Sequence, residues 1–174
     1  ESQHYTYSNP YSNTDIDWSS DSKFTWFEIY DPDAKSTEFS ILSIFDMQLH
    51  SLPVVPPTES EHLWHPTENM VVYPARDKNA LIFLDASTMS IRELPFTFEK
   101  PPYTYGDFTW SPNGEKIALI AADNSLWQVD YPNLENLEQL TPSLSDVSNV
   151  NWSPDGNSIA FVSGSDIHIV ETTK

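Results

Sequence analysis

Two glutamates and two histidines between residues 59 and 65 are the side chains best suited to metal chemistry. Glu59, Glu61, His62 and His65 together offer two carboxylates and two imidazoles, which are ligands that zinc accepts. An offset of three residues along a strand, however, directs His62 and His65 to opposite faces. His65 also stands where a repeated turn, described below, carries serine. The pattern therefore favours a polar turn over a metal site, and we expect no cofactor.

Fragments of calcium loops and of a catalytic triad also occur. The segments Asp31 to Asp33 and Asp155-Gly156 resemble parts of calcium loops, but neither has the further acidic ligands at close spacing that such loops use. Ser165, Asp166 and His168 include the residue types of a serine-protease triad. They lie on one turn and one predicted strand, whereas a triad is assembled from distant segments. We therefore expect turns and a strand here, and no catalytic residue in the chain.

Four tryptophans set the period of the chain. Trp18, Trp64, Trp110 and Trp152 are separated by 46, 46 and 42 residues, and each opens a similar passage. A period of about 40–45 residues with several strands per repeat is typical of a β-propeller. We interpret these tryptophans as buried packing residues between blades, at the ends of four equivalent inner strands. The alternative is a platform that stacks sugars or bases.

The residues after each tryptophan predict a tight turn. The last two repeats read W-S-P-N-G-E-K-I-A and W-S-P-D-G-N-S-I-A, so Gly114 and Gly156 occupy the same position. Proline presets φ for a turn, and glycine supplies the positive φ that closes a hairpin. We therefore expect both glycines, like the four tryptophans, to be structural residues of the repeat. The apolar strand that follows indicates burial on both faces.

The repeats divide a single domain, residues 1–174, into four predicted blades at about 14–53, 60–96, 106–141 and 147–174. Each blade has room for four antiparallel strands, although the last one stops after its third. The predicted fold class is all-β, a β-propeller type whose four blades form a complete small ring or part of a larger one.

The N-terminal segment offers the missing strand. Residues 4–8, H-Y-T-Y-S, alternate as a strand does and are predicted to pair with residues 166–171, within the chain or by strand exchange with a neighbouring copy. Tyr5, Tyr7 and Tyr11 have a second interpretation, as a partner-binding arm. Trp26 and Trp127 lie outside the repeat position and are further candidates for surface recognition, although each sits in a predicted strand.

The turn sequences resemble the repeat of TolB-like β-propellers, in which a W-S-P-D-G turn precedes an I-A-F strand and an L-T pair ends the blade. Here the pair is Leu140-Thr141. The resemblance implies a binding, scaffold or sensor module that recognises its partner through rim loops, in an extracytoplasmic bacterial setting. One such setting is the extracytoplasmic region of a membrane-bound transcription regulator. The alternative is the propeller portion of a serine peptidase or polysaccharide lyase whose catalytic residues lie outside this chain.

Composition narrows the classes of partner. The chain carries 26 acidic and 8 basic residues, a net charge of −18, and has no cysteine. Nucleic acids and anionic lipids are bound chiefly through lysine and arginine, so neither is an expected partner. No apolar run is long enough to span a membrane. A protein partner is favoured, and a basic one would match the charge. Because the sequence starts at Glu1 without methionine or a signal peptide, we expect an excised domain or a processed product.

Overall fold

A computed structural model of the protein describes residues 16–31, 35–57, 61–96, 107–144 and 146–172. These residues form four antiparallel sheets, in each of which the strands follow one another along the chain. Sheet 1 contains β1 (Ile16–Trp18), β2 (Phe24–Asp31), β3 (Ser36–Ser43) and β4 (Gln48–Ser51). Sheet 2 contains β5 (Leu63–Trp64), β6 (Met70–Pro74), β7 (Ala80–Asp85) and β8 (Ser90–Pro95).

The other two sheets lie in the second half of the chain. Sheet 3 contains β9 (Phe108–Trp110), β10 (Lys116–Ile120), β11 (Leu126–Asp130) and β12 (Glu138–Gln139). Sheet 4 contains β13 (Val147–Trp152), β14 (Ser158–Ser163) and β15 (Asp166–Glu171), three strands within the described residues. None of the described residues forms a helix long and apolar enough to cross a membrane.

Each sheet has two faces that pack against different neighbours. We call the face that carries the repeat tryptophan the leading face and the opposite one the trailing face. In sheet 3, Trp110 and Ile117 on the leading face pack against sheet 2, and Ala118 and Leu126 on the trailing face pack against sheet 4. In the same way, the leading face of sheet 2 packs against sheet 1, and its trailing face packs against sheet 3. The sheets are therefore stacked in chain order, with every leading face on the preceding trailing face.

The central strands of sheets 2 and 3 are apolar because both of their faces are covered. All five residues of β6 are buried, and so are the first five of β7. Alternation of polar and apolar residues is lost in such strands, since no side chain reaches water. In the three-stranded sheet 4, by contrast, β14 alternates between buried and half-buried residues. Coverage by neighbouring sheets, not strand propensity alone, explains this difference in composition.

The four repeat tryptophans are each the last residue of the first strand of their sheet. Trp110 and Trp152 are 8% exposed, and their indole Nε1 groups donate to the preceding sheet, to the Leu63 carbonyl at 3.4 Å and the Thr109 carbonyl at 3.2 Å. Trp64 is half-buried. Trp18 is 50% exposed, so the expectation of burial is wrong for this residue. The reason is that no sheet precedes sheet 1 among the described residues.

Three apolar clusters hold the four sheets together. They join sheet 1 to sheet 2, sheet 2 to sheet 3, and sheet 3 to sheet 4. Within the described residues, no cluster joins sheet 4 back to sheet 1. Residues 4–8, predicted to complete the last sheet, and Tyr5, Tyr7 and Tyr11 lie outside the described residues.

Tryptophans at the same repeat position should differ in their contribution to stability. Trp152→Ala is expected to lower the free energy of unfolding by about 3–5 kcal/mol, because it removes a large buried side chain. Trp18→Ala is the matched control and should cost about 1 kcal/mol or less, since half of its side chain is already in water. Chemical denaturation followed by circular dichroism measures both values. Equal losses for the two variants would contradict the packing described.

Candidate functional site

The turns that follow the repeat tryptophans line one end of the stacked sheets and form a rim. They comprise residues 19–23, 65–69, 111–115 and 153–157, here called turns 1 to 4. Adjacent turns approach one another: the side chain of Asn69 in turn 2 is close enough to the Asp21 carboxylate in turn 1 to lower its pKa, and His65 of turn 2 hydrogen-bonds to Gly114 of turn 3. The rim is therefore a continuous surface built on rigid strands, a common location for recognition sites.

A serine and a short polar side chain fix the shape of turns 1, 3 and 4. In turn 4, Ser153 Oγ donates to Asp155 Oδ1 at 2.6 Å and accepts the Ser158 N–H at 3.0 Å. Asp155 Oδ1 also accepts the Asn157 N–H at 3.1 Å. Gly156 has φ of +72°, the left-handed conformation expected for glycine in this turn. Turns 1 and 3 repeat the serine bonds, with Ser19, Asp21 and Phe24 in the first and Ser111, Asn113 and Lys116 in the second.

These bonds keep two rim carboxylates ionised. The hydroxyl of Ser153 and the amide groups of Asn157 lower the pKa of Asp155 from 3.8 to about 2. Partial desolvation raises the pKa of Asp21, but bonds from Lys23, Ser19 and Asn69 outweigh it and bring that pKa to about 2 as well. Hydrogen bonds that favour the charged form of a carboxyl have this effect. Both carboxylates therefore stay ionised well into the acid range; Asp21 is paired with Lys23, and Asp155 gives turn 4 a negative charge.

Turn 2 departs from the pattern because His65 replaces the serine. Its Nδ1 accepts the backbone N–H groups of Thr67 at 3.2 Å and Glu68 at 3.0 Å, so Nε2 carries the proton and donates to the Gly114 carbonyl at 2.9 Å. The ring is buried and fills the space beside Gly114. A Cβ on Gly114, whose φ is +75°, would lie 2.2 Å from His65 Nε2. His65 is thus a structural plug between turns 2 and 3.

Aromatic and charged side chains surround this plug. The His65 ring packs edge-on against Trp110, with centroids 4.7 Å apart, and lies 5.0 Å from the Tyr131 ring. The Tyr131 hydroxyl donates to Glu68 Oε2 at 2.7 Å, and the Arg92 guanidinium lies over the Tyr131 ring at 5.1 Å. Burial, together with the bond to Glu68 and its charge, raises the pKa of Tyr131 to about 12. The cluster ties sheet 2 to sheet 3.

Between turns 3 and 4 the corresponding space is open. Ser111 stands where turn 2 has His65, and the nearest atom to a Cβ built on Gly156 is Cδ of Pro112, at 3.9 Å. The Gly156 carbonyl accepts the hydroxyl of Thr172, from its own sheet. The result is an open groove of about 520 Å³. Its polar lining is Asn113, Glu115, Lys116, Asp155, Asn157 and Thr172, and Pro112, Pro154 and Trp152 supply apolar surface.

The predicted metal candidates are not brought together. His62 stacks on Trp26 of sheet 1, with ring centroids 4.4 Å apart and an interplanar angle of 14°, whereas His65 faces sheet 3. Glu59 lies outside the described residues. No group of three or more acidic or histidine side chains suited to a metal ion occurs in the part of the chain that the structure describes. The two histidines serve two different sheet interfaces.

The remaining candidates take structural positions. Asp155 belongs to turn 4, and Asp33 lies outside the described residues. Asp166 and His168 are in β15, where the His168 ring stacks on Phe161 with centroids 5.3 Å apart, and Ser165 precedes that strand. Trp26 is buried against sheet 2, which overturns its candidacy for surface recognition, because β2 turns this side chain to the trailing face. Trp127 is half-buried and packs against the cluster between sheets 2 and 3.

The groove itself was not among the sequence-predicted sites. Its residues are ordinary turn residues, and the signal that distinguishes it is a difference between repeats: histidine at position 65 and serine at position 111. That difference becomes informative only when adjacent turns are known to be in contact.

The stacked sheets are similar to a known structure. TolB from Acinetobacter baumannii matches with a TM-score of 0.54 and 16% sequence identity, over 88% of this chain and 39% of the TolB chain. The match therefore spans less than half the length of TolB. No protein-family model matches the sequence, and neither does any curated protein. At this identity the likeness confirms the predicted fold class, an all-β fold of TolB-like propeller sheets.

The two turn glycines should respond differently to alanine. Gly156→Ala is expected to cost about 1–2 kcal/mol, the penalty of the left-handed conformation alone. Gly114→Ala adds the overlap with His65 and should cost about 2–5 kcal/mol in all. In a His65→Ser background the Gly114→Ala penalty should fall to that of Gly156→Ala. A double-mutant cycle measures the coupling; no coupling between positions 65 and 114 would refute the plug.

Asp155 makes stability depend on pH in a predictable direction. Because its folded pKa lies below the ordinary value, its contribution is present above about pH 4 and is lost as the pH falls towards about 2. Asp155→Asn retains the acceptor oxygen that Asn113 supplies in turn 3, so it should fold at neutral pH and lose less stability on acidification than the wild type. Urea unfolding across this pH range measures the difference. Parallel pH profiles would exclude a role for this carboxylate.

Proposed function

We propose that the chain is a non-catalytic recognition module that binds a basic segment of a partner protein in the groove between turns 3 and 4. The observation that carries the proposal is the contrast between two equivalent positions. His65 closes the space between turns 2 and 3, and Ser111 leaves the next space open to solvent.

The lining of the groove supports a polar, extended ligand. Carboxylates of Glu115 and Asp155 stand on its two sides, and the pKa of Asp155, about 2, keeps that group charged at neutral pH. The positive charge of Lys116 is paired with a carboxylate, since its Nζ lies 3.5 Å from Asp130 Oδ1. The net charge of −18 adds a long-range attraction for a basic partner. Proline and tryptophan surfaces offer contact for an aliphatic side-chain stem.

The walls of the groove are rigid, which favours binding without a change in the conformation of turns 3 and 4. The serine and aspartate bonds of turn 4 and the matching bonds of turn 3 satisfy the polar groups of both turns before any ligand binds. A preorganised site loses little conformational entropy on binding. The turns would therefore bind a partner without reordering.

The test is titration of a short lysine- and arginine-rich peptide into ¹⁵N-labelled protein. Amide shifts should concentrate at residues 111–116 and 153–157, and binding should weaken as salt rises. Asp155→Asn keeps the turn and removes one charge, so it should weaken binding roughly two- to fivefold, the effect of an exposed ion pair. A glutamate-rich peptide of the same length is the negative control.

A second variant separates groove binding from general attraction to an acidic surface. Ser111→His copies the plug of turn 2 and should abolish the localised shifts. A circular dichroism melt checks that the variant folds, because the substitution also removes the bonds of Ser111 to Asn113 and Lys116. Shifts spread over the whole surface and unchanged by Ser111→His would contradict the proposed site.

The sensor and extracytoplasmic assignments are also proposals. Their support is the resemblance of the W-S-P-N-G and W-S-P-D-G turns to those of TolB-like propellers, together with the similarity in fold to TolB. Fractionation of cells that express the native protein tests the setting. Recovery of the protein from the cytoplasm would contradict it.

A further inference from the structure

Among the described residues, two sheet faces lack the neighbour that every equivalent face has. The leading face of sheet 1 exposes Ile16 and Trp18, at 65% and 50%, and the trailing face of sheet 4 exposes Ile167 and Ile169, at 78% and 73%. These faces lie at opposite ends of the stack of sheets. Contiguous apolar surface of this kind usually marks an interaction site.

The leading face of sheet 1 matches a buried face at the positions next to Trp18, although Ser40, Ser51 and Glu38 lie on the same face. Ile16 pairs with Phe27 and Trp18 with Thr25, in the register by which Phe108 pairs with Leu119 and Trp110 with Ile117 in sheet 3. The four residues of sheet 3 are buried against sheet 2. Leu42 and Leu49, opposite each other on β3 and β4, extend the same face of sheet 1.

The trailing face of sheet 4 also matches a buried counterpart. The strand pairings align four residues of sheet 4 with four residues of the trailing face of sheet 3. The aligned pairs are Ala160 with Ala118, Val162 with Ile120, Ile167 with Leu126, and Ile169 with Gln128. All four residues in sheet 3 are buried beneath sheet 4. At these positions sheet 4 is at least as apolar as sheet 3. Its trailing face is therefore suited to burial beneath another sheet.

We propose that a second copy of this chain supplies the cover, with the leading face of sheet 1 from one copy on the trailing face of sheet 4 from the other. The repeat indicates this occupant, because each internal interface joins one leading face to one trailing face, and the described residues leave one face of each type without a neighbour. In two of the three internal interfaces the tryptophan donates to the carbonyl of the residue that precedes the tryptophan of the preceding sheet, whereas Trp64 Nε1, in the third, makes no hydrogen bond. In the proposed interface, Trp18 Nε1 donates to the carbonyl of Asn151 in the other copy.

Such a contact is head-to-tail. Contacts of this type form a closed ring when the rotation between copies allows it and a filament otherwise. Two copies joined twice would form a ring of eight sheets in which no leading or trailing face is left uncovered.

The charge of the chain predicts how salt acts on this assembly. Level with Ile16, Trp18, Ile167 and Ile169, the central strands of the two faces contribute Thr25, Phe27, Ser40, Leu42, Ala160 and Val162, none of which is charged, and Glu38 lies further along β3 on the face of sheet 1. Each copy nevertheless carries a net charge of −18, so the copies repel one another. Raising the ionic strength screens that repulsion and should strengthen the assembly. A contact held by ion pairs would respond in the opposite way.

Sedimentation velocity of the full chain and three variants tests the proposal. Trp18→Asp disables one face, Ile169→Asp disables the other, and Phe45→Ser is the control. Phe45 is 94% exposed in the turn between β3 and β4 and belongs to neither face. Each face variant should raise the dissociation constant for self-association at least about tenfold, as expected for a central interface residue. Phe45→Ser should associate like the wild type.

The decisive experiment is to mix the two face variants, Trp18→Asp and Ile169→Asp. Each retains the face that the other has lost, so an equimolar mixture should form a heterodimer although neither variant associates alone. Circular dichroism melts of the separate variants confirm that both are folded. The proposal is overturned if the wild type remains monomeric at high concentration and high salt, if Phe45→Ser associates as weakly as the face variants, or if the mixture contains only monomers.

Discussion

Burial of the leading face of one sheet on the trailing face of the preceding sheet is the interaction on which the rest of the structure depends. A four-stranded sheet with two apolar faces is not stable alone in water, since it must cover both. The repeat tryptophan contributes a large apolar surface and an indole N–H to this contact, as Trp110 and Trp152 show. Stability is then shared between neighbouring sheets, as in other repeat proteins. Sheets 2 and 3, covered twice, have the most apolar strands, and the described residues leave one face of sheet 1 and one of sheet 4 open.

The same stacking fixes the chemistry of the rim. Because equivalent turns lie side by side, a single substitution at the serine position decides whether the space between two turns is filled or open. His65 fills it and also accepts two backbone N–H groups. In the other turns the serine accepts one backbone N–H and the aspartate or asparagine accepts another. Ser111 leaves an open groove, and the hydrogen bonds within turns 3 and 4 make its walls rigid. The proposed binding site is thus a by-product of blade geometry, in keeping with the view that function resides in sites placed on a general scaffold.

Much of the fold could be predicted from the sequence, because the signals were local and repeated. The spacing of the tryptophans, the turn glycines and the apolar strand after each turn predicted the four sheets, and β15 spans the residues 166–171 named in the sequence analysis. The opposite orientations of His62 and His65 followed from strand alternation. The exposure of Trp18 could not be predicted, since it depends on whether another sheet lies before sheet 1. The burial of Trp26 and the groove depend likewise on contacts between sheets, which spacing along the chain does not reveal.

Hydrogen exchange of the indole N–H groups tests the central claim most directly. In the Ile169→Asp variant, kept monomeric, the indole protons of Trp110 and Trp152 should exchange slowly, because each is buried and bonded to a carbonyl of the preceding sheet. The indole proton of Trp18 should exchange rapidly, since nothing among the described residues precedes its sheet. Rapid exchange at Trp110 and Trp152, or protection of Trp18 equal to theirs in the monomer, would contradict the stacking of leading on trailing faces.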